Sequence, residues 1–170
     1  MLQVARILFS TNCFDGAEVE ATEAINLFSL AHKSKPRIRS VQQRSEALAH
    51  TLLAMAQTIN ERQQTGVQKR AVSDQGPFPD NQKLFVANHR IETALILDPY
   101  SFDANFARAD LRGASGNMAG ALRDLYDAST QLTPFPEAQI ARAAIFIDHM
   151  HDFESGMCAA RKAQVVCTVP

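Results

Sequence analysis

Apolar residues recur along this chain at helical spacings, in blocks separated by proline, glycine or polar turns. Between Ser40 and Arg62, Val41, Leu48, Leu52, Met55 and Ile59 follow one another at offsets of seven, four, three and four, which is one face of a helix. Residues 2–11 form a shorter apolar block, and a long connection around Asn12 to Gly16 is expected before a second helix over Glu18 to Pro36. Helical spacing resumes over Asn81 to Asp98, and again on both sides of Gly116-Asn117, a pair suited to ending a helix in the left-handed conformation. The last block follows Phe135-Pro136. No segment keeps a period of two, so the pattern predicts an all-α chain.

The blocks are copies of one another. Ala87, Ile91 and Ala94 are matched by Ala121, Leu125 and Ala128, each 34 residues on. Asp98-Pro99 is echoed by Thr133-Pro134, displaced by one residue, and Ala104, Arg108 and Ala109 return as Ala138, Arg142 and Ala143. A small-large-small trio, Ala24, Phe28 and Ala31, followed by Pro36, places the same second-helix pattern in the first block. Phe153, Gly156, Ala160 and Ala163 place it in the last, shifted by one residue.

Small residues at helix contacts, a proline after the second helix and a period of about 34 residues resemble the tetratricopeptide repeat (TPR). The resemblance implies an all-α helix-turn-helix solenoid of about four repeats, irregular in its N-terminal half. They run over about 2–36, about 40–99 with a loop insertion at 63–80, about 102–133 and about 135–166. It also implies a groove lined by the first helices: Asp103, Phe106, Asp110, Gly113 and Ala114 in the third repeat; Glu137, Ile140, Ala144, Ile147 and Asp148 in the fourth; Arg39, Gln42, Glu46, Ala49 and His50 in the second. Family members that hold chaperone C-termini clamp a carboxylate with cations. In repeats three and four these positions are acidic or apolar here. The expected ligand is instead a hydrophobic or basic segment. Ala24 to Pro36 could pass for a second helix of the related, RNA-binding pentatricopeptide array, but Leu97-Asp98-Pro99 and the 34-residue interval suit TPR better and the charge balance does not suit RNA.

Composition narrows this further. Net charge is −1 over 170 residues, which argues against direct nucleic-acid binding, and no apolar run is long enough to span a membrane. Three scattered cysteines, Cys13, Cys158 and Cys167, without C-x-x-C point to a reducing intracellular compartment, the cytoplasm before a mitochondrion or plastid. Residues 1–14, with Arg6 and no acid before Asp15, read as an amphipathic first helix, with a targeting segment as the alternative.

Candidate chemistry is sparse. His149 and His151, flanked by Asp148 and Asp152, could ligate a divalent metal, but the sequence fixes no third ligand and a solvated turn is the plainer reading. Cys158 reads as a small packing residue. His32, His50 and His89 are isolated, and no phosphate loop or activated nucleophile is present. We expect no cofactor and no catalysis. Within the loop Gln63 to Asp80, Lys69, Arg70 and Phe78 are candidate partner contacts. The apolar end Val165 to Pro170 lacks a polar cap and is expected to meet another chain or fold back on the last helix. The expectation is therefore a non-catalytic scaffold, a subunit of a larger assembly. A transient peptide adaptor is the alternative, and a metal-binding protein using the His149/His151 turn the distant one.

Overall fold

A computed structural model describes residues 1–34, 39–65, 82–130 and 136–168. Among these residues there are eight helices and no strand: α1 (Leu2–Ser10), α2 (Phe14–Ser34), α3 (Arg39–Thr65), α4 (Gln82–Leu97), α5 (Phe102–Ala114), α6 (Met118–Ser129), α7 (Pro136–Asp148) and α8 (Phe153–Thr168). Each helix packs on its neighbours in the chain, and α3 also packs on α1 and α5.

The cores explain this order. Ala5, Ala21, Leu52 and Leu53 join α1, α2 and α3. Ala47, Ala54, Ala87, Ile91, Ala94, Ala104, Ala107 and Leu111 join α3, α4 and α5. Ala109, Ala121, Leu125, Ala128 and Ala138 join α5, α6 and α7. Every core is a helix pair closed by the next odd-numbered helix, so α3 and α5 each serve two cores. Most core positions are alanine. Small side chains let helix axes approach closely, and the few large ones, Leu53, Ile91 and Leu111, fill the centres. The 34-residue pairs behave alike: Ala87, Ile91 and Ala94 are as deeply buried as Ala121, Leu125 and Ala128.

The turns repeat as well. Asn12 and Gly116 occupy the left-handed region, at φ 61° and 80°. The Cys13 N–H donates to Leu8 O and that of Asn117 to Arg112 O, both at 2.8 Å, while the Asn12 and Gly116 N–H groups donate to Phe9 O and Gly113 O. These are the two bonds of a Schellman ending. In the α7–α8 turn the left-handed residue is His151, at φ 55°, and the Asp152 N–H reaches one residue further, to Phe146 O. That wider loop holds the extra residue that shifts α8.

Several expectations need correction. The first turn is short, Thr11 to Cys13, and Gly16 lies inside α2. A Cβ there would stand 3.1 Å from Cys13 Sγ and 3.2 Å from a Leu8 methyl, so this glycine serves close helix approach and not a loop. Counted from the left-handed residue, the buried trio of α2 is Ala17, Ala21 and Ala24. Ala24, Phe28 and Ala31 sit two turns too late, and Phe28 is only half-buried. On α8, Ala159 is buried, whereas Ala160 and Phe153 are exposed. Val41 projects from the end of α3 into solvent. Residues 165–168 continue α8 and do not fold back.

Candidate functional site

The small residues that bind α5 and α7 into their cores fix what those helices turn outward. Burial of Ala104, Ala107 and Leu111 against α4, and of Ala109 towards α6, leaves Asp103, Asp110 and Ala114 exposed on α5. Burial of Ala138 and Ala143 leaves Glu137, Ile140, Ala144 and Asp148 exposed on α7. Offsets of three and four place each set on one helical face. Ile140 is 57% exposed, large for an isoleucine without a covering neighbour.

Other residues of the expected groove are drawn inward. Phe106 is half-buried, stacked on Phe102 with centroids 5.6 Å apart, and packs on the α5–α6–α7 core. Ile147 is half-buried over Gly156, where a Cβ would stand 2.5 Å from its Cγ1. Gly113 has open space beside it. On α3, Ala49 is fully buried and so is not a groove residue, because α3 is packed on several sides at once. Gln42 and Glu46 are half-buried. His50 is half-buried too, and burial, aided by the Arg90 and His89 charges, lowers its pKa below the ordinary value. The side chains of Arg39 and His32, and the loop residues Lys69, Arg70 and Phe78, lie outside the described residues.

Asp103 also lines a cleft of about 980 Å³ with Arg44, Leu48, Tyr100, Phe102 and Asp127, where α3, the α4–α5 turn and α6 converge. Enclosure by surrounding protein raises its pKa although part of the carboxyl reaches solvent, and Arg6 of α1 pulls the other way. Positive charge from α1 is thus felt on α5.

Sequence reasoning missed one cluster. Asp124 of α6 is buried beneath Arg108 (2.9 Å) and Arg112 (2.7 Å), and Arg108 also reaches Glu92 of α4 at 3.5 Å. Burial pushes the Asp124 carboxyl up, while the guanidiniums oppose it. The network ties three helices together. Its signal was Arg108 and Arg112 at i,i+4, with an acid three residues after the buried Ala121. The 34-residue copy persists in form: Arg108 donates to Asn105 Oδ1 and Arg142 to Gln139 Oε1, both three residues back.

The histidine turn is open to solvent. His149 and His151 are both exposed, and His151 supplies the left-handed residue of the loop. Asp152 accepts the Ser155 N–H at 3.0 Å, and hydrogen bonding from the Ser155 side chain, helped by this N–H, holds its carboxyl below the usual range. Among the described residues, no group of three or more histidines, cysteines or carboxylates converges as a metal cage. Cys158 is exposed on α8 and does not pack inside. Among the described residues, no helix is long and apolar enough to cross a membrane. No protein-family model matches the chain, and no curated protein matches it.

Proposed function

We propose that this chain is a non-catalytic protein–protein interaction scaffold, a TPR-like solenoid of about four repeats serving as a subunit of a larger assembly. The observation that carries the reading is the sharing of α3 and α5 between successive cores. Stacked pairs that share helices make an extended body with aligned outer faces, the architecture that repeat proteins use to hold partners. The outward residues of α5 and α7 give that face its chemistry: apolar at Ile140 and Ala144, edged by Asp103, Asp110, Glu137 and Asp148. Such a surface suits a partner segment that is hydrophobic with basic flanks.

The test is affinity purification from native extract of the source cell. The wild-type chain retains a fixed, stoichiometric partner, and Asp110→Lys and Ile140→Lys each reduce its recovery severalfold while circular dichroism stays unchanged. Equal recovery with both variants removes this face from the interaction. A transient adaptor, favoured by the open Ile140, behaves differently: no stoichiometric partner, a monomer in solution, and saturable binding of short basic peptides lost in the same variants.

A further inference from the structure

Two arginines stand 34 residues apart on successive odd helices, and the chain supplies carboxylates to only one of them. Arg108 of α5 meets an acid on each side: Glu92 of α4 at 3.5 Å and Asp124 of α6 at 2.9 Å. It also donates to Asn105 Oδ1 at 3.3 Å. Arg142 of α7 keeps that last bond, donating to Gln139 Oε1 at 3.1 Å. The other two places are filled differently. Tyr126 of α6 stands 34 residues after Glu92, and its ring centroid lies 5.3 Å from the Arg142 guanidinium. Burial fixes this match, since Ala87, Ile91 and Ala94 around Glu92 are as enclosed as Ala121, Leu125 and Ala128 around Tyr126. On α8 the buried Gly156, Ala159 and Ala163 have the spacing of Ala121, Asp124 and Ala128, so alanine occupies the place of the buried acid. Both helices that flank Arg108 have a described counterpart at Arg142, namely α6 and α8. The difference lies in side chains and not in a missing neighbour.

Among the described residues no carboxylate pairs with Arg142, whose polar contacts are Gln139 and the Tyr126 ring. A guanidinium is a planar fork of five donors. The ring attracts its charge and Gln139 takes one donor, but neither offers the two-oxygen acceptor that matches the fork. Tyr126 is 54% exposed, so the site can be reached from solvent. We propose that Arg142, with Tyr126 and Gln139, binds a carboxylate from outside the chain: the side chain of a glutamate or aspartate on a partner protein, seated as Glu92 and Asp124 sit against Arg108. The class of ligand follows from that copy, in which the same arginine position is satisfied by carboxylates. Two residues separate Arg142 from Ile140, about 200° around the helix, so the site faces away from the apolar side of α7. It rests on the scaffold reading only for the source of the carboxylate, and not on the α5–α7 face.

The experiment uses the full chain labelled with 3-fluorotyrosine. It has two tyrosines: Tyr126 reports the site, and Tyr100, in the α4–α5 turn, is the control. The probes are N-acetyl-glutamate N-methylamide, its glutamine analogue and inorganic phosphate, each titrated at fixed ionic strength. The glutamate probe moves the Tyr126 fluorine signal saturably, with half-saturation at about 10–100 mM, the range of one charge-assisted hydrogen bond. Arg142→Gln abolishes the movement, and Arg142→Lys, which keeps the charge without the fork, weakens it severalfold; circular dichroism shows both variants folded. Ala159→Asp, where it folds, also abolishes it by supplying the carboxylate from within. The proposal is overturned by no Tyr126 movement at about 0.3 M probe, well beyond that range; by equal movement of Tyr100 and Tyr126; by an equal response to the glutamine analogue; or by a response that survives Arg142→Gln. Half-saturation by phosphate at a lower concentration than by the glutamate probe assigns the site to another class of anion and also overturns it. A chain that shows the glutamate response but captures no partner from extract removes the scaffold reading and leaves the carboxylate site.

Discussion

At the scale of single residues, two glycines in helices test the packing in opposite directions. Gly113 of α5 has nothing within 4 Å of a built Cβ. Gly113→Ala therefore gains helix propensity without a clash and raises stability by about 0.5 kcal/mol. Gly156 of α8 lies beneath Ile147, and an added methyl overpacks the contact. Gly156→Ala lowers stability by about 1 kcal/mol net, the overpacking outweighing the propensity gain. Urea titrations read both, and the Gly156→Ala penalty disappears in an Ile147→Ala background. His50 gives a second check. Its pKa is depressed in the fold by burial, with Arg90 and His89 adding to it. The unfolded chain then takes the proton first as pH falls. The sign is a loss of stability on acidification, beginning near the ordinary histidine value of about 6.5 and complete below the lowered one. His50→Gln flattens the drop in urea midpoint between pH 7.5 and 5; a drop of undiminished size in the variant assigns the acid sensitivity elsewhere. Neither glycine's environment nor the burial of His50 was legible in the sequence, because each depends on which neighbour lies opposite.

At the scale of helices, legibility followed local chemistry. Gly116 announced its turn because glycine adopts a positive φ without strain. Asn12 and His151 do the same work less visibly. Asparagine is a familiar left-handed residue, yet Asp15 and Gly16 after it disguised a three-residue turn as a longer loop. His151 invited a ligand reading because of His149, although its backbone role accounts for its place. The long α3 is the instructive case. The sequence carries a single apolar stripe from Val41 to Ile59, but this helix also buries Ala49, Thr51 and Thr58 away from that stripe. Threonine and alanine carry little periodic signal, and the Thr51 and Thr58 hydroxyls are satisfied by Ala47 O and Ala54 O within the helix. A helix packed on several sides does not advertise one face.

At the scale of the whole molecule, the 34-residue interval made the repeated helix pairs legible from α4 onward, because identical contacts select identical small residues. The all-helical class followed from the same periodicity. The sharing of odd helices was not legible, since it resides in which cores a helix joins and not in its composition.

Sharing α3 between two cores has a consequence for cutting the chain. A backbone break between Thr65 and Gln82 leaves α3 on one piece and its partners α4 and α5 on the other. Ala47, Ala54 and Met55 then face Ala87, Ile91 and Leu111 across a boundary between two molecules. Neither piece can bury its half of that cluster alone, while each presents the surface that the other lacks. Residues 1–65 and 82–170, expressed together, are expected to reassemble non-covalently as a 1:1 pair with the helical content of the intact protein. Sedimentation and circular dichroism read the outcome, and two separately soluble, non-associating fragments would refute the shared-helix account. The intact chain is thus a ready source of a split reporter, with its seam set by a helix that belongs to both sides.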